Sequence, residues 1–469
     1  MSHVVRCMKL IAFLATMLLS CASLAADLSP GDRVALIKDT PLYFSTTTVV
    51  RTGKSGEQFT VIAARLAEHR VFLSAQDATG KEIALNVSDD AVVLVKKGVI
   101  APGARDGMEV MGEVRKDLAK ALEVPAIMAA RMSGDPRKKA MVDNPRSKEC
   151  EAAVLRGLNW LKNHQNADGS WSPGYHSAMT GFALLAFLGH GETPGSADYG
   201  AAVQKGIDWL IENGSKHDGR LNMADSFGQP GVYEHAIATY ALGEYYTMTK
   251  DERVAVLLKE AVGYIVQGQG PDGGWMYSYD KSTGDTSVSC WQIQALLAAQ
   301  LSGLNIEGVV PALDKAMLNL KRVQAEDGSF GYREPRPGSY SLTGAGVFCT
   351  YFWKRDKNMS VSKGIEFLLK ETNKGHPIEY KHETADLYAW YYNTQACFMF
   401  GGAAWQKWNS HFQDQLLRNQ SLDGSWPPAA GKSPGGELQR DPDGAGPYYR
   451  TCLCILMLEV YYRYLPVVK

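Results

Sequence analysis

The sequence predicts a mainly α protein in which six helical repeats close into a double ring, an α/α toroid, preceded by a small all-β module. Three observations carry this expectation. Asp-Gly pairs recur at Asp168-Gly169, Asp218-Gly219, Asp272-Gly273, Asp327-Gly328 and Asp423-Gly424, in steps of 50, 54, 55 and 96 residues, the last step being two periods. Each period holds an amphipathic helix followed by one that is apolar nearly all round. Residues 27–97 have the short, β-branched runs of a sheet instead. Self-similarity at a period near fifty marks stacked supersecondary units that share one core.

The first 26 residues stand outside this plan. Arg6 and Lys9 precede the apolar run from Leu10 to Leu19, and small residues lead on to Ala25 and Ala26. That order is the one expected of a secretory signal, and the run is too short for a resident transmembrane helix. Leu18-Leu-Ser-Cys21 also resembles a lipobox, in which case Cys21 becomes a lipidated N-terminus. Either reading takes the chain out of the cytoplasm, to the periplasm or cell envelope. Removal of the signal leaves 47 basic against 50 acidic side chains, a charge of −3. With 45% hydrophobic residues the chain has apolar material for a large core, and its near-neutral charge gives no reason to expect nucleic acid.

Next come Arg33 to Ile37, Gln58 to Ile62, Arg70 to Leu73, Glu82 to Leu85 and Ala91 to Val95, five strand-like runs separated by turn residues such as Gly53, Gly56 and Thr79-Gly80. The layout Gly31-Asp-Arg-Val, Pro41-Leu-Tyr43 and Gly56-Glu-Gln-Phe-Thr-Val61 resembles bacterial SH3-like domains. That resemblance implies a docking module, with an envelope component as its partner and no chemistry of its own. Residues 98–146 read as a linker, opened by Ala101-Pro-Gly103 and closed by the charged, Pro-interrupted stretch from Asp135 to Arg146.

The repeat region spans 147–469. Its first amphipathic helix runs from Glu151 to His164, with Val154, Leu158 and Leu161 at helical spacing. The apolar partners are Ala178 to Leu188, His235 to Tyr246, Ser287 to Leu301, Gly344 to Trp353, Leu387 to Phe400 and Thr451 to Tyr464. A helix apolar on every side is buried on every side, so these six form the inner ring. The N-termini of the inner helices then surround a cavity mouth. Six cysteines remain in the mature chain, Cys150, Cys290, Cys349, Cys397, Cys452 and Cys454, without a C-x-x-C pair, and they read as buried thiols.

The loop after the first helix adds a motif: Arg156-Gly157, Trp160-Leu161, Gln165, Gly169 and Trp171. The third unit repeats it with Ala261, Tyr264-Ile265, Gln269, Gly273 and Trp275. The fourth has Lys315-Ala316, Leu320, Gln324, Gly328 and Phe330, and the sixth keeps Leu416, Gln420, Gly424 and Trp426. Glycine permits the tight turn, glutamine can bond backbone groups of the next helix, and the aromatic covers the loop. This pattern matches the QW motif of squalene and oxidosqualene cyclases. The region therefore resembles the prenyltransferase and squalene-cyclase repeat superfamily, and phrases such as Asp386-Leu-Tyr-Ala-Trp-Tyr-Tyr392 resemble its secreted planctomycete-type members. The resemblance implies an isoprenoid-like or other apolar ligand in a central cavity.

The catalytic residues of that superfamily are not matched. Polyene cyclases resembling this chain donate a proton from the middle acid of Asp-x-Asp-Asp-Thr at the start of an inner helix. Ser282-Thr-Gly-Asp-Thr286 keeps Asp285 and Thr286 but has Gly284 at the donor position. A lone Asp ahead of a helix is also an N-cap. Protein prenyltransferases hold zinc with Asp, Cys and His. Here Asp285 and Cys290 are five apart and Arg450 falls where the His would be, so neither a metal nor any cofactor is expected.

What remains is a set of polar and aromatic residues opening the inner helices. The candidate acid–base residues are Asp285, His235 and Asp386. Tyr233, Glu234, Cys290, Trp291, Tyr388, Tyr391, Tyr448 and Arg450 are the candidate cavity residues. Each also has a bland reading as a cap or a satisfied core group. Three functions stay open: a toroid acting on an apolar ligand, a non-catalytic envelope scaffold, and a carbohydrate-active toroid.

Overall fold

The computed structural model describes seven strands between Arg33 and Lys96, then Met128, Arg131 and Asn144. From there it describes residues 146–464 except 224–227, 229, 355–356, 373 and 433–435. The signal segment lies outside the described residues.

The strands are β1 (Arg33–Leu36), β2 (Thr40–Tyr43), β3 (Val49–Gly53), β4 (Gln58–Arg65), β5 (Arg70–Gln76), β6 (Glu82–Ser88) and β7 (Val92–Lys96). They form one antiparallel sheet in the order β3-β2-β6-β5-β4-β1-β7. Two of them, β2 and β3, go beyond the five runs the sequence suggests. Pro41 sits in β2 and Gly53 ends β3, residues that weaken a strand pattern when read alone.

From Ser147 the chain is helical. The amphipathic helices are α1 (Ser147–Asn163), α3 (Gly200–Lys216), α5 (Glu252–Gln267), α7 (Val309–Val323), α9 (Met359–Glu371) and α11 (Gly402–Asn419). The apolar ones are α2 (His176–Gly189), α4 (Gly231–Thr249), α6 (Thr286–Leu301), α8 (Tyr340–Lys354), α10 (Leu387–Phe400) and α13 (Gly446–Leu458). A short α12 (Glu437–Arg440) precedes α13, and α14 (Val460–Arg463) follows it. Every inner helix packs on the next, α2 on α4, α4 on α6, α6 on α8, α8 on α10 and α10 on α13; α13 returns to α2. The α1 helix buries only the face carrying Val154, Leu158 and Leu161, whereas α6 buries Ser289, Gln292 and Gln294 as well as its apolar residues. The described cysteines are free and buried.

The loops show how the ring is tied. Gln165 Nε2 donates to Gly169 O within its own loop and to Ala202 O on the next outer helix, at 2.8 and 2.9 Å. Gln269 does the same with Gly273 and Ala312, and Gln324 with Gly328 and Ser360. Gln420 closes the circle, donating to Gly424 O and to Ala153 O on α1. The indole N–H groups of Trp171, Trp275 and Trp426 donate backward to Leu161 O, Ile265 O and Leu416 O, carbonyls near the ends of their own outer helices. Substituting Gln420→Ala removes the bond to Gly424 O within the loop and, across the closing seam, the bond to Ala153 O and those that Gln420 Oε1 accepts from the Arg156 guanidinium. It is expected to cost about 1–3 kcal/mol in urea denaturation, against little change for the fully exposed neighbour in Leu422→Ala.

The compact unit that holds the helices also includes Met128 and Arg131, upstream of α1. Arg131, within the stretch that reads as a linker, is buried and pairs with Glu244 of α4 at 2.7 Å. The charged composition of 98–146 conceals this, because a guanidinium is buried only where a distant partner meets it.

Candidate functional site

The inner helices begin at residues that hold their first turn. Asp285 caps α6 by accepting the Val288 N–H at 2.8 Å, and Asp386 caps α10 by accepting the Ala389 N–H at 3.0 Å. Each carboxylate has a second oxygen. That of Asp386 accepts the Ser341 hydroxyl at 2.6 Å. That of Asp285 accepts the Tyr332 phenol at 3.2 Å, and Tyr332 is in turn hydrogen-bonded to the Tyr277 phenol.

Beside this relay lies another. The Tyr233 phenol donates to Ser287 Oγ at 3.1 Å, and Ser287 Oγ is bonded to the Tyr388 phenol at 2.9 Å. The rings of Tyr233 and Tyr277, 6.1 Å apart, join the two sets. Asp285 is fully buried, while Tyr332 is 40% exposed and Tyr233, Ser287 and Tyr388 are half-buried. Four phenols, one hydroxyl and one carboxyl therefore converge where solvent enters. Burial pushes the Asp285 carboxyl up to about 6, against the pull of its hydrogen bonds to Val288 and Tyr332. Burial likewise raises the phenols of Tyr233, Tyr332 and Tyr388 well above the usual tyrosine range.

Beneath the mouth the ring axis is packed. Trp291 stacks on Tyr391 with centroids 5.9 Å apart and meets Tyr392 and Phe182 at 5.5 and 5.3 Å. Tyr388 touches Tyr392 edge-on at 5.1 Å, which connects mouth and axis. Trp291 is 2% exposed and Tyr391 and Tyr392 are fully buried, so at this level the side chains face one another and not an open space. Cys290 is buried beside Trp291, its carbonyl accepting from Gln294.

The other sequence candidates are placed elsewhere. His235 is fully buried and both ring nitrogens serve the backbone: Nδ1 accepts from Leu221 N–H at 3.0 Å and Nε2 meets Ala261 O at 2.9 Å. Burial pushes it down to about 4, so the ring is neutral and locked between the loop at Leu221 and helix α5 at Ala261. Glu234 is buried and accepts the Met223 N–H at 3.4 Å, and burial raises its carboxyl. Arg450 is an internal clamp, donating to the carbonyls of Trp426 at 2.9 Å, Gln439 at 3.2 Å and Asp441 at 2.5 Å. Tyr448 packs edge-on against Trp160 at 5.1 Å on the outer side.

Sequence reasoning missed Tyr277, Tyr332 and Ser287. A register signal was present: Tyr277 and Tyr332 both stand two residues after the loop aromatic, Trp275 in the third unit and Phe330 in the fourth. No group of three or more His, Cys, Asp or Glu is disposed to hold a metal, and no helix is long and apolar enough to cross a membrane, among the described residues.

The sequence matches no protein-family model and no curated protein. Solved structures do resemble the fold. The GH76A α-1,6-mannanase of Salegentibacter sp. HEL1_6 aligns with a TM-score of 0.50 at 12% identity, covering 68% of this chain and 99% of its own. The type II terpene cyclase MstE from Scytonema, in its apo form, aligns at 0.46 with 13% identity over 69% of this chain and 100% of its own. At these identities the likeness to the mannanase is one of fold alone: the repeat region is an α/α toroid.

Proposed function

We propose that the repeat region is a ligand-handling toroid whose working site is the mouth at the inner-helix N-termini, and that its ligand is a hydroxyl-rich ring molecule of the carbohydrate class. The convergence of the Tyr332 and Tyr277 phenols on Asp285, beside Tyr233, Ser287 and Tyr388, carries this reading. Phenols present an apolar face and a hydrogen-bonding tip together, which suits a ring that is apolar on its faces and hydroxylated at its rim. A long polyisoprenoid needs an apolar hollow, and the Trp291, Tyr391 and Tyr392 level is filled by protein. A carboxyl raised to about 6, hydrogen-bonded to a phenol that reaches solvent, is suited to acid–base work near neutral pH, with Tyr332 as the contacting group and Asp285 behind it. The signal segment and the sheet unit fit an exported protein docked to an envelope component through an SH3-like module.

Saturation-transfer NMR on the full chain with neutral oligosaccharides and, separately, geranylgeraniol tests the reading. Oligosaccharide signals that weaken at least tenfold in Tyr332→Phe and Tyr388→Phe are expected. Binding of geranylgeraniol alone, unchanged in both variants, overturns it in favour of an apolar ligand.

A further inference from the structure

Two arginines attend the loop that carries Tyr332, and they are used differently. Arg322 of α7 pairs with Asp272 at 2.9 Å and donates from Nη1 to Arg333 O at 2.9 Å, which fixes the main chain one residue past Tyr332. Arg333 is exposed, and its Nη2 donates to Thr283 O at 3.1 Å. Among the described residues it forms no ion pair, so its charge is uncompensated by the protein. Asp280 on the facing loop is occupied by the Ser278 hydroxyl at 2.8 Å and the Ser282 N–H at 2.9 Å, and Glu334 is exposed.

The position of Arg333 gives this charge a use. Tyr332 and Arg333 are successive residues, and both reach the segment that leads into α6: the phenol meets Asp285 at 3.2 Å and the guanidinium meets Thr283 O. Thr283 and Asp285 are two residues apart, a span of at most about 7 Å along the chain. One sugar ring on that rim can therefore meet both side chains. The main chain beneath them is tied, because Tyr332 O accepts the Thr286 N–H at 2.8 Å and Arg333 O accepts from Arg322. Pinning the loop to Thr283 would need one N–H and no charge. A guanidinium with further N–H groups open to solvent matches a carboxylate, in geometry as well as in sign.

We propose that Arg333 makes the mouth selective for acidic sugars, its guanidinium taking the ring carboxylate of a uronate while Tyr332 meets the hydroxyls of the same ring. This rests on the carbohydrate reading of the mouth and adds a charge preference to it.

The test is calorimetric titration of the full chain with oligogalacturonate and oligomannuronate, each compared with its methyl ester, which keeps the ring and removes the charge. At least one acid is expected to bind about tenfold more tightly than its ester. Arg333→Gln should bring that ratio to about one and leave the affinity for the ester unchanged, and Arg333→Lys should keep part of the preference. Equal binding of acid and ester by the wild type overturns the inference, as does a preference that survives Arg333→Gln. If Tyr332→Phe then weakens both forms, the carbohydrate reading of the mouth stands without it. Loss of ester and acid binding together in Arg333→Gln would make the residue a loop pin and also overturns it. If neither acid nor ester binds, the inference falls, and the neutral oligosaccharides of the NMR experiment decide the reading of the mouth separately.

Discussion

Replacing Gly424 by alanine should destabilise the protein by about 3 kcal/mol. Two costs coincide there. Gly424 has φ +98°, a conformation that an L side chain adopts only with strain. A Cβ on it would also lie 2.3 Å from Arg156 O, a main-chain atom of α1 that cannot swing aside as a flexible side chain can. Because Arg156 belongs to the first repeat and Gly424 to the sixth, the clash falls on the seam that closes the ring. Gly169, Gly273 and Gly328 meet Lys205 O, Lys315 O and Lys363 O at 2.5, 2.2 and 2.3 Å, also at positive φ, so the same geometry ties successive repeats. Gly375→Ala is the control, since a Cβ there meets only the end of the Glu371 side chain, at 3.9 Å. Urea midpoints compare the two. Equal stabilities for Gly424→Ala and the wild type would mean that the sixth loop does not hold the first helix.

The same contacts explain what the sequence could tell. The Asp-Gly steps and the Gln-to-aromatic spacing are local, and each local unit repeats one solution to the problem of fitting a tight turn against the next helix. The inner ring was legible because burial on all sides leaves no polar face, as in α6 and α10. The site was legible only in part. Asp285 and Tyr388 were visible because they open inner helices, and Tyr233 likewise. Arg450 and His235 open helices too, yet their polar atoms are taken up by main-chain carbonyls and an amide of other elements, partners that lie 9 to 26 residues away and follow no periodic rule. Arg131 was hidden for the same reason at longer range: its meaning depends on Glu244, 113 residues on.

The substitution that tests the mouth most directly is Asp285→Asn, through two readouts that a merely structural residue would not move together. Asparagine retains an oxygen for the Val288 N–H and is as good an N-cap as aspartate, so α6 should keep its first turn. Stability should then depend on pH in a defined direction. The carboxyl has a folded value of about 6 against an ordinary value of 3.8, so folding favours its protonated form. That contribution is fully present below about pH 4 and is lost as pH rises through 6, which amounts to about 3 kcal/mol at most. Asp285→Asn lacks the ionising group, so relative to the wild type it should gain about 2 kcal/mol of stability between pH 4 and pH 8. Urea denaturation at the two pH values measures the difference. The second readout is chemical. With its proton-sharing partner gone, Tyr332 cannot exchange a proton with the protein interior, and turnover of a bound oligosaccharide should fall by a factor of about 10²–10⁴ while its affinity changes only a few-fold. A variant that is destabilised equally at both pH values would make Asp285 a helix cap and nothing more, and the mouth would then be a binding surface without acid–base chemistry.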